Sequence, residues 1–138
     1  EVMDFDFTHY YDEEMGWPLH RRFVSFAELV SPDVLVEAKL ATNSLEGEFA
    51  SRRPGSPARP INLDPGYVEL SKLVLASMKD FSHRVYLGRG VYAEVTLMYR
   101  KGCWRAFEWT FPDFASSRYH AFLCRVRETL ARQREGTK

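Results

Sequence analysis

The sequence has little cysteine, no long apolar run and no excess of charge of either sign. Its 138 residues include two cysteines, Cys103 and Cys124, which lack the CxxC spacing of zinc and redox motifs. Disulfide-rich and zinc-stabilised minidomains are therefore excluded. Two thiols outside such motifs are typical of proteins from a reducing compartment, so we expect a cytoplasmic protein.

No stretch of 18 apolar residues is present, and no basic segment followed by an apolar one opens the chain. We therefore predict a soluble protein with no membrane partner and no secretory signal. A chain of this length buries roughly two-thirds of its unfolded surface, so we expect one domain over residues 1–138. Because the chain opens with Glu1 inside a predicted strand, we expect further residues upstream.

Charge is unevenly distributed although acidic and basic side chains are equal in number, at 19 each. Residues 1–50 carry 11 acidic and 3 basic side chains, a difference of −8, and residues 51–138 carry 8 and 16, a difference of +8. Either the charges solvate separate faces, or the C-terminal part forms a positive surface for phosphate or nucleic acid.

The first eight residues predict a half-buried strand, because apolar and polar side chains alternate from Val2 to Thr8. Asp4 and Asp6 share the polar face, where they can either bind a divalent cation or simply face solvent. Residues 9–18 are turn-like. Leu19 to Phe26 is expected to return as the second strand of a hairpin.

Residues 32–50 predict an amphipathic helix, with Ser31 as its cap, Pro32 at its first position and Asp33 near its positive end. Its apolar stripe comprises Val34, Ala38, Ala41, Leu45 and Phe49. The side away from this stripe carries Asn43 and Glu46, with Lys39 one turn earlier, and these residues are expected to form a surface cluster. Asn43 needs either solvent or a polar partner there. Three prolines and a glycine make residues 51–60 a flexible loop.

The segment after this loop is ambiguous. Residues 61–63 predict a short strand. Asp64-Pro65-Gly66 then either caps a helix through Leu70, Leu73 and Val74 or makes a turn before an extended run, and we favour the helix slightly.

The C-terminal part predicts a meander and a helix. Strands over 83–87, 91–100 and 103–109 are separated by glycine-containing turns. Ser116 or Ser117 is expected to cap the last helix. The apolar stripe of that helix comprises Tyr119, Phe122, Leu123, Val126 and Leu130.

These elements predict an α+β fold, a mostly antiparallel sheet with helices on one face. A variant of this fold is a split βαβ (ferredoxin-like) unit whose first strand and helix lie upstream, followed by the β-meander and the C-terminal helix.

The predicted turns set a register for the meander. Pairing Arg100 with Cys103 and Leu87 with Val91 places Arg84, Glu94 and Trp109 in one cross-strand row. Tyr86 and Tyr92 share the face of that row. His83 falls in the neighbouring row with Val95 and Glu108, on the opposite face.

A cation, an acid and several rings on one face suit either an ion pair or the wall of a ligand pocket. We predict Asp64, His83 and Glu94 as candidate catalytic residues, of which His83 is a candidate acid–base group. Candidate ligand-binding residues are Asn62, Gly66, Lys79, Arg84, Tyr86 and Tyr92. The predicted pocket joins residues 62–66 to the meander.

Several functional motifs are missing. The chain has no phosphate loop, no nucleophile elbow and no HExxH motif. Residues 88–90 (GRG) lie between strands, so they predict a hairpin turn and not a dinucleotide site. The histidines at 9, 20, 83 and 120 lack metal-ligand spacing, so no metal is predicted, and the sequence identifies no cofactor.

The chain resembles the domain-of-unknown-function 4416 family of bacterial proteins over nearly its whole length. The matching stretches are FDFTHYYDEEMG at 5–16, RRFVSFAELVSP at 21–32, KLATNSLEGEFA at 39–50, INLDPGYVELSKLVLASMKDFSHRVYLGRGVYAEVTLMY at 61–99, and EWTFPDFASSRYHAF at 108–122. The resemblance implies a further N-terminal strand and helix, and it implies no established activity.

Three hypotheses follow. The first is binding or turnover of a small phosphorylated or nucleotide-like ligand. The second is a structural domain that forms a homo-oligomer through a sheet edge or aromatic face. The third is an RNA-binding module that uses exposed aromatics and the arginines of the loop and last helix.

Overall fold

A computed structural model describes residues 1–8, 12–16, 18–55 and 57–136. The chain divides into two compact units, residues 1–65 and 66–138, and each is described by itself. The single domain over 1–138 stays a prediction. Among the described helices, none has the length and apolarity needed to cross a bilayer.

The first unit opens with a hairpin of β1 (Val2–Phe5) and β2 (Leu19–Arg22), which pair in antiparallel register. The predicted hairpin is therefore confirmed, although both strands are shorter than expected. A single helical turn, α1 (Asp12–Met15), lies between them, and part of the predicted 9–18 turn lies outside the described residues. The alternation also holds, because Met3 and Phe5 are half-buried whereas Asp4 is exposed.

The predicted long helix is confirmed as a 3-10 turn (Pro32–Val34) that continues into α2 (Leu35–Ser51). Its predicted cap is wrong in detail. The Ser31 hydroxyl makes no capping bond, and the Ser31 carbonyl instead accepts from the Val34 N–H at 3.1 Å.

The predicted apolar stripe of α2 is not its buried face. Leu45 is 53% exposed and Val34 42% exposed, whereas Leu35 and Lys39 are buried. The reason lies in the chain after the helix, whose backbone is bound by polar side chains of α2, as described below. Periodicity alone does not reveal which face of a helix carries such partners.

Residues 61–65 form no strand, so that prediction is wrong. Of the two alternatives for the next segment, the slightly favoured helix is wrong and the extended run is confirmed. The second unit begins instead with a hairpin of β3 (Gly66–Val68) and β4 (Lys72–Ser77). In β4, Leu73 and Val74 are both buried although they are neighbours. A short run that is apolar at successive positions cannot be assigned to helix or strand by periodicity.

The meander is confirmed as β5 (Arg84–Gly88), β6 (Val91–Arg100) and β7 (Cys103–Ala106). The turn residues Arg89, Lys101 and Gly102 all have positive φ, which two-residue hairpin turns require. Gly88 pairs with Val91 in place of the predicted Leu87, because Leu87 lies in a bulge. The turn is one residue shorter than the predicted loop, and the bulge adds one residue to β5. The two differences cancel, so the register from Tyr86 and Tyr92 onward is as predicted.

The five-stranded sheet is built around β6, with strand order β3-β4-β6-β5. One edge of β6 pairs with β4, and the other edge pairs first with β5 and then with β7. Side chains fill the gap between β5 and β7. The Trp109 indole N–H donates to the Val95 carbonyl at 3.0 Å, and the Thr110 hydroxyl donates to the Thr96 carbonyl at 2.6 Å.

The chain ends in α3 (Pro112–Ala115), a 3-10 turn (Ser117–Tyr119) and α4 (His120–Glu135). The Ser116 hydroxyl accepts from the Arg118 N–H at 3.4 Å and so caps the turn that leads into α4. Along the predicted stripe, Tyr119, Leu123 and Leu130 are buried. The α+β class is thus confirmed, whereas the one-faced placement of helices and the split βαβ unit stay predictions.

Candidate functional site

The candidate site is centred on the carboxylate of Glu94, in the N-terminal half of β6. The residue is only 3% exposed, and it lies opposite Arg84 of β5 in the predicted register. Arg84 Nε donates to Glu94 Oε2 at 3.0 Å, and His83 Nε2 lies 2.8 Å from the same oxygen. We call these three residues the Glu94 cluster.

His83 joins this cluster from a position that the sequence analysis placed on the opposite face. β5 begins only at Arg84, whose N–H donates to the Phe81 carbonyl at 3.0 Å and closes a turn. His83 therefore belongs to the turn and does not follow the alternation of the strand. The predicted row of His83, Val95 and Glu108 is wrong, since β7 also ends at Ala106, before Glu108.

Aromatic rings fix the orientation of the His83 imidazole. The ring stacks on Trp109, with centroids 5.1 Å apart and planes inclined by 13°, and Phe81 contacts it edge-on at 5.3 Å. Trp109 in turn stacks on Phe107 at 4.6 Å. Because its indole N–H is bound to the Val95 carbonyl, Trp109 is itself held in place. Trp109 enters the site by this route, and the predicted Glu94–Trp109 strand pair does not form.

Both oxygens of the Glu94 carboxylate have hydrogen-bond partners. Arg84 and His83 bind one carboxylate oxygen, and the Thr96 hydroxyl lies 3.4 Å from the other. Arg84 Nη1 donates to the Lys79 carbonyl at 2.9 Å, which ties the loop before β5 to the cluster. Among the described residues, His83 Nδ1 and Arg84 Nη2 have no hydrogen-bond partner. These two atoms are available to a ligand.

Tyr86 and Tyr92 lie where the register predicts, side by side on the face that carries Arg84 and Glu94. Their ring centroids are 5.2 Å apart, and Tyr86 is 59% exposed. Since residues i and i+2 of a strand are about 7 Å apart, an exposed ring lies close to the Arg84 side chain.

Asn62 and Asp64 belong to the first unit, where they form a second polar group. The Asn62 amide donates to Asp64 Oδ2 at 2.8 Å, and Arg59 donates to the Asn62 side-chain oxygen. Lys39 Nζ donates to the Leu63 carbonyl at 3.3 Å and lies 3.9 Å from Asp64 Oδ1.

Glu46 completes this attachment of the 62–64 segment to α2, because its carboxylate accepts from the Leu63 N–H at 2.6 Å. The sequence pattern placed Lys39 and Glu46 on the polar side of α2 but did not connect them to residues 62–64. Their seven-residue spacing, with Asn43 between them, is the signal that identifies a polar face. Glu46 is therefore more than part of a surface cluster, because it binds the backbone of Leu63.

Gly66, the third predicted residue of this segment, starts β3 in the second unit. A methyl group there would overlap the Val74 carbonyl and lie 2.6 Å from Leu75 Cδ2. The close approach of β4 therefore explains this glycine by packing. Its ligand-binding role stays a prediction.

An open groove of about 260 Å³ lies elsewhere in the first unit and contains none of the predicted site residues. It is lined by Leu45, Glu48, Phe49, Arg52, Ile61 and Leu63. No three metal-ligating side chains lie together in the part of the chain that the structure describes. Asp4, half of the proposed cation pair, lies 3.1 Å from His20 Nδ1 across the β1–β2 hairpin.

Comparisons with curated proteins and with solved structures found no match for this chain. A comparison with protein families did. The model of a family described as "Domain of unknown function (DUF4416)" matches residues 1–130 of the 138. The resemblance seen in the sequence is thus confirmed over almost the whole length, and the chain belongs to the DUF4416 family.

Proposed function

We propose that the Glu94 cluster is a binding and acid–base site for a small phosphorylated or nucleotide-like ligand. The observation that carries this proposal is the arrangement around one buried carboxylate, which holds both an imidazole and a guanidinium while each of them keeps a free nitrogen. A structural ion pair between Arg84 and Glu94 does not require the imidazole.

His83 is the acid–base group in this proposal. Because a carboxylate oxygen only accepts, the hydrogen-bond network assigns a proton to His83 Nε2, and in the neutral imidazole the lone pair is then on Nδ1. A histidine whose tautomer and ring plane are fixed by a carboxylate and by stacking is pre-organised for proton transfer. Trp109 and Phe81 supply the stacking.

Arg84 supplies the positive charge. Its Nε and Nη1 are bound internally, and Nη2 is left for an anionic oxygen of the ligand. Arginine matches phosphate well because its donors are fixed in a plane. The exposed ring of Tyr86, on the same face as Arg84, suits stacking of a planar group such as a base.

A ligand-detected thermal-shift experiment tests the proposal. Inorganic phosphate, a sugar phosphate and a nucleoside monophosphate are titrated into the protein at constant ionic strength. A ligand at 100 times its dissociation constant stabilises the native state by about 2.7 kcal/mol, enough to raise Tm by several degrees. We expect such a shift for the native chain and its loss in His83→Gln and Arg84→Gln.

Two variants serve as matched controls. His20→Gln removes an exposed histidine that also has a carboxylate partner, and Arg125→Gln removes an exposed arginine of α4. Both are expected to keep the shift. If no compound shifts Tm, or if the cluster variants respond like the controls, the proposed site is wrong.

A second candidate function is that of a structural domain that forms a homodimer. It is favoured by exposed apolar side chains on the edge strand β5. Val85 is 66% exposed and Leu87 43% exposed. Such an edge suits pairing with another chain. Light scattering across a hundredfold range of protein concentration tests this candidate, which requires a dimer.

A further inference from the structure

Three unpaired cations surround Met98 in the C-terminal half of β6. Met98 pairs with Lys72 of β4 on one side and with Arg105 of β7 on the other. Arg100 lies two residues further along β6. Because paired residues and residues i and i+2 project from the same face, all three cations share the face of Met98. We call Lys72, Arg100 and Arg105 the cation triangle.

The dimensions of the triangle follow from strand geometry. Lys72 and Arg105 flank β6 on both sides, so their Cα atoms are about 10 Å apart, and Arg100 is about 7 Å from Met98 along the strand. Arg100 and Arg105 are exposed, and Lys72 and Met98 are half-buried. The charges are thus spread over an open surface.

None of the three cations forms a salt bridge within the described part of the chain. The nearest acid along the β3–β4 hairpin, Glu69, is bound to Arg134 of α4 at 2.8 Å. The only polar contact within the triangle is from Arg105 Nε to the Arg100 carbonyl, at 3.5 Å. Three like charges on one face, none of them in a salt bridge among the described residues, give this part of the sheet a local excess of positive charge.

We propose that the cation triangle binds the phosphodiester backbone of single-stranded nucleic acid. By strand spacing, the three cations are spread over about 7 to 10 Å. This spread suits successive phosphates of a chain better than one small anion. The two arginines favour phosphate oxygens, and the half-buried Met98 gives an apolar, polarisable contact between them. This proposal does not depend on the Glu94 cluster, and it places the contact on the sheet instead of on the loop and last helix.

The test is fluorescence anisotropy with a labelled 12-nucleotide oligouridine, and with the same length of oligothymidine, at several KCl concentrations. Contact with about three phosphates predicts that log Kd changes with log[KCl] with a slope of magnitude about 2. Replacing all three cations (Lys72→Gln, Arg100→Gln, Arg105→Gln) is expected to weaken binding at least tenfold and to flatten the slope.

The matched control replaces three exposed arginines beside or within α4 (Arg118→Gln, Arg125→Gln, Arg132→Gln), which lowers the net charge by the same amount. It is expected to change Kd less than threefold. Equal losses in the two triple variants would overturn the proposal, as would equal affinity for an oligoglutamate of the same charge or the absence of binding at 50 mM KCl. Circular dichroism confirms that each variant is folded, and Arg100→Gln alone provides a milder variant if the triple variant unfolds.

Comparing the RNA and DNA oligonucleotides shows which of the two nucleic acids the surface binds. Equal affinity supports recognition of the backbone alone, whereas a preference for one of them supports additional contacts to sugar or base. The outcome is independent of the His83 site, because Arg84→Gln is expected to leave oligonucleotide binding unchanged even if it abolishes the response to small ligands.

Discussion

Removing the carboxylate of Glu94 should destabilise the second unit far more than removing a surface carboxylate. In Glu94→Met, which keeps the side chain's length, the Arg84 guanidinium loses its partner although its side chain is only 11% exposed. Breaking a buried ion pair in this way costs about 3–5 kcal/mol. Because small domains are stable by about 5–15 kcal/mol, the variant should lose a large share of its stability.

Urea unfolding followed by circular dichroism and tryptophan fluorescence measures this loss. The control, Glu48→Met, removes an exposed i,i+4 pair with Arg52, which is worth only about 0.3–0.5 kcal/mol. The double variant Arg84→Met/Glu94→Met removes both charges and should recover to within about 2 kcal/mol of the native chain.

Two results would refute the reasoning. A loss in Glu94→Met no larger than that in Glu48→Met would show that Arg84 finds water or another acceptor. A double variant less stable than Glu94→Met would show that the pair contributes mainly by packing, because no charge is then left uncompensated. Either result would remove the physical basis for a preorganised His83.

Two further predictions concern β3. Gly66→Ala should lower the free energy of unfolding by about 1–3 kcal/mol, because its methyl group would overlap β4. Gly47→Ala, in open space on α2, should raise it by about 0.5–1 kcal/mol. Urea midpoints of the two variants that move in the same direction would contradict this. Burial, aided by the charge of Glu69, raises the pKa of Tyr67 above 10.0. The unfolded phenol therefore ionises first, so Tyr67 lowers stability as pH rises above 10.0 until the folded phenol ionises as well. Unfolding curves of the native chain and Tyr67→Phe between pH 9 and 12 measure this, and identical pH profiles would contradict it.

The sequence predicted the β5–β7 meander well because its signals are local. Glycines and positive-φ positions define two tight turns, and turn length fixes which residues face each other. The pair of Arg84 with Glu94 followed directly. His83 was misplaced because the residue at which a strand begins depends on a hydrogen bond to Phe81, which no periodicity shows.

The buried face of α2 and the fold of residues 61–75 were predicted poorly because both depend on contacts between distant residues. The outward apolar face of α2 makes sense only once Lys39 and Glu46 are seen to bind the backbone of Leu63. Similarly, β4 is a strand because it pairs with β6, which lies about twenty residues further along the sequence. Tertiary pairing of this kind overrides a local preference for helix.

Because β5 and β7 pair with the same edge of β6, the β5–β6 and β6–β7 hairpins can change length independently. An insertion at the Arg89–Gly90 or Lys101–Gly102 turn lengthens one hairpin and leaves the pairing of the other unchanged. An insertion between Val95 and Thr96 instead displaces every later residue of β6 relative to β5, and it separates the backbone carbonyls that Trp109 and Thr110 bridge. Tolerance to changes of chain length should therefore be high at the two tips and minimal at the centre of this strand.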